Sequence, residues 1–439
     1  MSACGTFLLL EGQDPGPDNE PDHGPGREPP MQRRDFLKTA GAGLAGMSAA
    51  RWPHGQLTPF APVGVDPSRC QPLQPTITVD GAVVPLPLVR AQADRIIALT
   101  VCTRPFRAQG PRIETERLGR KTIVHNYGHG GSGWSLSWGS GTLALRHVLA
   151  TREREIAVIG CGAIGLTSAL LAQKAGLKVR IYAKERPPDT RSTLATGSWS
   201  PNSRFCTQEG ATPEVAQRWE EMTRIAFRAY QNLLALPGDP VEWRDGYSLS
   251  DAPPGAGPHR QEGEPIYPDL EARVRDLTPR SVALDPGTHP FPVPFVRRFT
   301  QMVFNITALS RQLMADYLAA GGVIETREFA GPSDIEKLRE KTIVNATGYG
   351  ARALFGDQSI VPIRGQLMRL VPQPEIIYGL NAPAFNMVPR RDGIVLQSQA
   401  PGDFNSADTT PDRAAAERTV QSVADFNQRI RANLGCGSR

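Results

Sequence analysis

The sequence predicts an α/β fold, and three observations predict it. The stretch "REIAVIGCGAIGLTSALLAQKAGLKVRIYAKE" (154–185) reads strand, tight turn, helix, strand, with Gly160, Gly162 and Gly165 at GxGxxG spacing, the pattern of a Rossmann-type nucleotide-binding unit. A second helix-then-strand pattern runs from about 307 to 346. Hydrophobic residues at 40% and charged residues at 21% fit a soluble globular chain, and 439 residues allow two or three domains.

Taken in order, the chain opens unpromisingly for a core. Residues 11–30 are almost pure Pro, Gly and acid. There follows "MQRRDFLKTAGAGLAGMSAA", in which Arg33 and Arg34 precede Phe36, Leu37 and a weakly apolar Gly/Ala run. This resembles a twin-arginine export signal, with a mildly amphipathic first helix as the alternative. The run is too short and glycine-rich for a transmembrane span, so no stable membrane insertion is expected. Residues 1–58 are therefore read as a disordered leader and signal, with Met31 a candidate start. Export would place the protein in the periplasm or outside the cell. A net charge of +5 without a basic run gives nucleic-acid binding no support. The six cysteines (Cys4, Cys70, Cys102, Cys161, Cys206, Cys436) lack CxxC spacing. A disulfide framework and a zinc site are disfavoured, one bridge stays open, and no metal is expected.

"HNYGHGGSGWSLSWGSG" (125–141) interleaves glycines with aromatics and histidines, so its backbone N–H groups can approach a ligand closely. His125 and His129 invite a metal or general-base reading. Their spacing of four matters only on a helix, which the glycines oppose; both read as loop-shaping hydrogen-bonding residues. Trp134 and Trp138 read as packing.

In the nucleotide unit, Ile156 to Ile159 make the first strand and Gly160 the turn. Gly162 admits the pyrophosphate, Ala163 and Ile164 begin the helix, and Gly165 lets that helix sit close. Leu166 to Ala175 continue it, Gly176 ends it, and Val179 to Tyr182 form the second strand. Glu185 is a candidate for the ribose hydroxyls and Lys184 for a phosphate; a solvated loop charge is open for either. "DTRSTLATGSWSPNSRF" (189–205) brings Arg191, Ser192, Gly197 and Ser198 toward the same ligand, with Trp199 as a flat apolar wall. A helix over 212–236 is capped by Thr212 with Pro213 at its first position. The Pro/Gly-rich 251–294 reads as extended loop. The helix at 307–320 passes through Gly321-Gly322 into a strand, and a strand at 342–346 ends in Ala346-Thr347-Gly348, returning to the ligand. Residues 411–430 read as a helix.

Together these pieces resemble the D-amino-acid oxidase family of FAD enzymes. The motifs are "GCGAIG", "TRSTLATGSWSP", "NATG", "IRGQLMRL" (363–370), "TRPFR" (103–107) and "HNYGHGG". In that family the nucleotide turn comes first and the last two motifs close the chain; here they precede the turn. The resemblance thus implies a circular permutation, the family's ends being joined through "SGTLALRHVLATRERE" (140–155). It implies two interleaved lobes within 59–439: an FAD-binding Rossmann-type lobe (about 103–205 and 300–360) and a mixed α+β substrate lobe (about 59–102, 206–299 and 361–439).

The resemblance also implies roles. Arg104 would hold a substrate carboxylate with its guanidinium fork, a structural ion pair being the alternative. The Gly131 carbonyl would meet the substrate amine. The segment Gly130, Gly131, Ser132, Gly133, Trp134 and Ser135 would present N–H groups and a helix start to the flavin's pyrimidine end, Thr347 and Gly348 completing the FAD site. The implied reaction is oxidative deamination of a D-amino acid or related amine. Hydride would pass from the α-carbon to flavin N5, and molecular oxygen would take the electrons as peroxide. A homodimer stays open. Three departures from the family bear on the substrate. Asn386 stands where a tyrosine is usual, "QSQ" (397–399) replaces Gly-Gly-Thr, and Ser135 replaces a threonine. Asn386 keeps a donor for the carboxylate. Arg390 and Arg391 suggest an acidic substrate or, equally, surface charge. A flavin-dependent amine dehydrogenase using another acceptor and a non-catalytic flavin-binding homologue with a decayed site are the alternatives. A nicotinamide-dependent dehydrogenase is disfavoured by the flavin-like segments.

Overall fold

The structure is a computed structural model that describes residues 74–253, 263–398 and 403–434. The expected leader, with Arg33 and Arg34, lies outside those residues, as do Cys4, Cys70, Cys436 and Gln399. The described cysteines, Cys102, Cys161 and Cys206, are free and buried.

Two sheets organise the chain. The first has six strands in the order β11-β7-β6-β12-β5-β4. These are β4 (Arg112–Leu118), β5 (Lys121–Tyr127), β6 (Glu155–Ile159), β7 (Lys178–Ala183), β11 (Val323–Thr326) and β12 (Thr342–Asn345). All pairs are parallel except β4 with β5. A central parallel strand is covered on both faces, which is why Ile156 to Ile159 of β6 are continuously apolar and buried after the exposed Glu155. Ile156 and Val158 enter the large core beneath the helices, while Ala157 and Ile159 enter the core on the other face. Helices α1 (Gly133–Ala150), α2 (Ala163–Lys174), α3 (Pro213–Gln231) and α4 (Ile306–Ala319) share that large core.

The second sheet has eight strands in the order β3-β13-β16-β15-β14-β8-β10-β9. They are β3 (Ile96–Arg107), β8 (Val241–Ser250), β9 (Val282–Leu284), β10 (Phe295–Phe304), β13 (Ile360–Leu370), β14 (Gly379–Asn381), β15 (Phe385–Arg390) and β16 (Gly393–Ser398). Only β14 with β8 is parallel. One face is apolar: Met368, Phe385, Met387, Ile394 and Leu396 pack on a long helix, Arg413–Leu434, through Val420, Val423 and Phe426. A hairpin, β1 (Thr76–Val79) with β2 (Ala82–Pro85), turns at Asp80-Gly81, both at positive φ. Short helices α5 (Pro332–Glu336) and α6 (Ala351–Leu354) flank β12, so the long helix is α7.

The nucleotide unit, the Thr212-capped helix, the helix before Gly321 and the C-terminal helix form where expected. Some boundaries differ. The limit placed at 103 falls inside β3, and that at 300 falls inside β10; both strands lie wholly in the eight-stranded sheet, because each is one continuous ladder. Helix α3, expected with the substrate lobe, buries Trp219, Met222 and Tyr230 in a core that α1 and α2 share with Val241 of β8 and Met302 and Phe304 of β10. It also ends at Gln231 rather than near 236. Within 251–294 the chain forms β9 and a 3-10 turn at Glu271–Val274. No helix of the described residues is long and apolar enough to cross a membrane.

Candidate active site

The C-terminal ends of β5, β6, β7 and β12 open into one cavity of ≈ 520 Å³, the position where open parallel sheets bind ligands. Gly160 follows β6 at φ +111°, and a Cβ there would stand 2.5 Å from the Ala346 carbonyl oxygen. Only glycine lets the turn touch the Ala346-Thr347-Gly348 segment. Gly165 lies beneath the turn rather than in the cavity, since a Cβ on it would strike the Gly160 carbonyl. It makes the close helix-to-strand contact expected of a third glycine. Ala163, at the head of α2, donates its N–H to Ser192 Oγ at 2.9 Å. The hydroxyl therefore sits at the helix N-terminus where a phosphate is expected.

The glycine loop reaches the same cavity from β5. The N–H groups of Gly130, Gly131 and Ser132 bond to Pro105 O (2.8 Å), Ser203 O (3.0 Å) and His129 O (3.0 Å), so they do not face a ligand as expected. Ser132 itself is fully buried behind the wall. Those of Gly133, Trp134 and Ser135, which open α1, have no hydrogen bond among the described residues. An 18-residue helix thus points its positive end into the cavity. Trp134 Nε1 donates to Ser192 O at 2.7 Å and Ser135 Oγ accepts from Ser200 N at 2.8 Å, which fastens the loop to 192–200.

Other predicted residues fall as follows. Lys184, Glu185, Arg191, Gly197, Ser198, Thr347 and Gly348 line the cavity. Lys184 pairs with Glu328 at 2.7 Å, so its charge is already met on the surface. Arg191 stands 5.3 Å from the ring centre of Tyr349. Trp199 is no wall: it is buried among Phe227, Tyr230 and Phe304, because its side chain points to the α3 core. His125 lies on β5 rather than in a loop, fully buried, with Nε2 3.0 Å from Glu116 and Nδ1 3.1 Å from Asn345. Among the described residues no group of three or more His, Cys, Asp or Glu could hold a metal.

Arg104 enters from the other sheet. Its Nη1 donates to Arg364 O at 2.9 Å, and its guanidinium lies over Gly365 of β13. Among the described residues no carboxylate lies within ion-pair distance of it, although the part-buried Asp403 carboxylate is near enough to feel its charge, and Arg104 lines the cavity. Asn386 does not line this cavity. Arg390 and Arg391 are not available to a substrate. Arg390 is buried on Asp392 (2.9 Å) and Ala195 O (2.8 Å), while Arg391 pairs with Asp239 (2.8 Å) and Glu242 (3.0 Å).

Three residues that line the cavity carry buried polar atoms with no partner among the described residues: Thr103 Oγ1, Thr190 Oγ1 and His129 Nε2. Burial pushes the His129 imidazole down to about 3, so it is neutral. Gly133 and Gly348 line the cavity, and a Cβ on either would meet nothing within 4 Å. Unpartnered donors, an open cradle and two helix N-termini fit a dinucleotide. Sequence reasoning missed Arg327 to Ala330, which line the cavity just after β11. Their position at a parallel strand's C-terminal end was the signal that would have found them.

A family described as FAD dependent oxidoreductase matches residues 155–433. The D-amino-acid oxidase of Rubrobacter xylanophilus is 30% identical over 283 residues, 62% of this chain and 77% of that protein. That of Streptomyces coelicolor is 29% identical over 275 residues, covering 60% and 76%. Among solved structures, glycine oxidase from Geobacillus kaustophilus gives a TM-score of 0.44 at 15% identity, covering 63% and 80%.

Proposed function

Because the chain belongs to the FAD-dependent oxidoreductase family, we propose that it oxidises the amine carbon of a D-amino acid or related amine and passes the electrons to molecular oxygen. The observation that carries this reading is Arg104: an arginine with no carboxylate at ion-pair distance among the described residues, lining the cavity that holds the nucleotide turn. Two D-amino-acid oxidases among its relatives support the same substrate class.

FAD, when bound, supplies the hydride acceptor. Arg104 binds the substrate carboxylate through its fork and so fixes the direction of the α-carbon. The opening N–H groups of α1 favour negative charge in the cavity. Neutral His129 adds no opposing charge. The carboxylates among the described lining residues, Glu185 and Glu328, follow β7 and β11 in the other sheet from Arg104. The substrate amine therefore loses its proton to water before it enters, and alignment does the rest. The test is a visible spectrum of the purified protein, repeated anaerobically with D- and L-amino acids. Bleaching by D-amino acids supports the reading, and readmitted oxygen should restore the colour with one peroxide per flavin. Restoration only by an artificial acceptor would assign a dehydrogenase. No bleaching by any amino acid or amine would refute catalysis here.

Two further proposals concern the chain itself. We read it as a circular permutation. In support, the family match begins at Glu155, yet β4, β5 and α1 precede it and complete the same sheet and cavity. Helix α7 meets the opening segment, Asn427 Nδ2 donating to Val89 O at 2.8 Å and Arg413 to Ala93 O at 3.1 Å. A reordered gene starting at Glu155 should yield a protein of equal FAD content. We also propose export on Arg33 and Arg34; changing both to Lys should leave the protein in the cytoplasm, and unaltered export would refute this.

A further inference from the structure

The face of the eight-stranded sheet that carries Arg104 also carries a row of amides, Asn381, Asn386 and Gln397, which stand beside the cavity without lining it. Its orientation follows from three contacts. The Arg104 guanidinium lies over Gly365, Thr196 Oγ1 donates to Gln397 Oε1 at 3.2 Å, and Arg390 Nη1 donates to Ala195 O at 2.8 Å. Thr196 and Ala195 both line the cavity. Asn386 alternates with Arg390 along β15, so it shares that face, while Phe385 and Met387 point to the α7 core. In the ladders Asn386 stands directly opposite Gln397 on one side and Asn381 on the other. Leu367 is opposite Gln397, which makes Gly365, and the guanidinium above it, the diagonal neighbour of Gln397. Diagonal neighbours lie about 7–8 Å apart, within reach of long side chains.

Among the described residues two of these side chains keep groups without a partner. The side chain of half-buried Asn386 makes no hydrogen bond among the described residues, and Gln397 uses only its oxygen, leaving Nε2 as a donor. The cations of the same region are matched: Arg390 by Asp392, Arg391 by Asp239 and Glu242, Arg244 by Glu242. A carboxylate held at Arg104 sends its α-substituent along or away from this row. A side chain lying over β16 would meet donors and acceptors without net charge.

We propose that Gln397 and Asn386 recognise the substrate side chain and select an uncharged hydrogen-bonding group, a carboxamide before a hydroxyl, over acidic or aromatic ones. This rests on the function proposed above. It reassigns Asn386 from the carboxylate to the side chain, since it stands two strands from Gly365, about 10 Å at the usual strand spacing.

The FAD-loaded protein would be assayed with D-asparagine, D-glutamine, D-serine, D-aspartate, D-phenylalanine and D-alanine. D-Asparagine or D-glutamine should give the highest kcat/KM. Gln397→Leu and Asn386→Leu should each lower the D-asparagine to D-alanine ratio about tenfold, with FAD content unchanged, while Gln397→Asn recovers part of it. Preference for D-aspartate or D-phenylalanine, or a ratio within twofold of the parent's in both leucine variants, overturns the proposal. A yellow protein that oxidises none of these refutes the oxidase reading instead. The row is then judged by flavin-band titration with succinamate, succinate and hydrocinnamate. Succinamate should bind most tightly and lose that advantage in Gln397→Leu; equal affinities overturn the proposal.

Discussion

Changing Gly133 to Ala should strengthen the fold and weaken FAD binding. Gly133 opens α1, its φ is not positive, and a Cβ on it meets no atom within 4 Å. Alanine is the better helix former by up to about 1 kcal/mol, and it lowers the entropy of the unfolded chain by about 0.4–1 kcal/mol. These overlap, so the protein without cofactor should gain at most about 1 kcal/mol, which raises Tm by no more than about 2–4 °C. The methyl group enters the cavity that α1 points into. Overpacking against a closely held ligand costs about 1–3 kcal/mol, or about a 5- to 150-fold rise in Kd for FAD. Calorimetric titration of the cofactor-free protein with FAD, alongside thermal melts, measures both signs. An affinity within twofold of the parent's would show that α1 does not approach the cofactor. A fall in Tm would show that the glycine serves the fold.

Gly160→Ala should act oppositely, destabilising the cofactor-free protein by about 2–5 kcal/mol, because positive φ and the Ala346 carbonyl both oppose a Cβ. An unchanged denaturation midpoint would refute that packing. Arg104→Ala loses one carbonyl bond and no described ion pair, so its stability should change by less than about 1.5 kcal/mol, while kcat/KM falls at least about tenfold. A normal kcat/KM would remove Arg104 from substrate binding. His129 gives a pH signature. Its folded value, about 3, lies below the usual 6.5, so the unfolded chain takes the proton first as pH falls, and stability is lost from about pH 6.5 downward. At 1.36 kcal/mol per unit, the cofactor-free protein should lose about 2 kcal/mol between pH 6.5 and 5 that His129→Asn does not lose. Parallel pH curves for the two proteins would refute the assignment.

Local grammar was legible where spacing alone decides structure. GxGxxG after an apolar strand can make little but the β6-turn-α2 unit, and Thr212-Pro213 announces α3 through one capping bond, Val215 N to Thr212 Oγ1 at 3.3 Å. The motif "HNYGHGG" pointed to a ligand-side loop, and the loop does reach the cavity. Which of its N–H groups face that ligand was not legible, because Pro105 O and Ser203 O, which take Gly130 and Gly131, come from distant segments. Trp199 illustrates the same limit: an indole beside a glycine reads as a wall until α3 is seen to enclose it.

The sequence by itself determined the nucleotide unit and, through the motifs it shares with one family, the cofactor class, because each rests on residues close together in the chain. Tertiary structure alone decided which charges were available. Arg390, Arg391 and Lys184 look alike in sequence to Arg104, yet carboxylates from Asp392, Glu242 and Glu328 neutralise the first three. Strand register likewise placed Asn386 opposite Gln397 on the sheet face that carries Arg104. Pairing between strands is a long-range property, set by which faces find a core, and no local pattern encodes the partner.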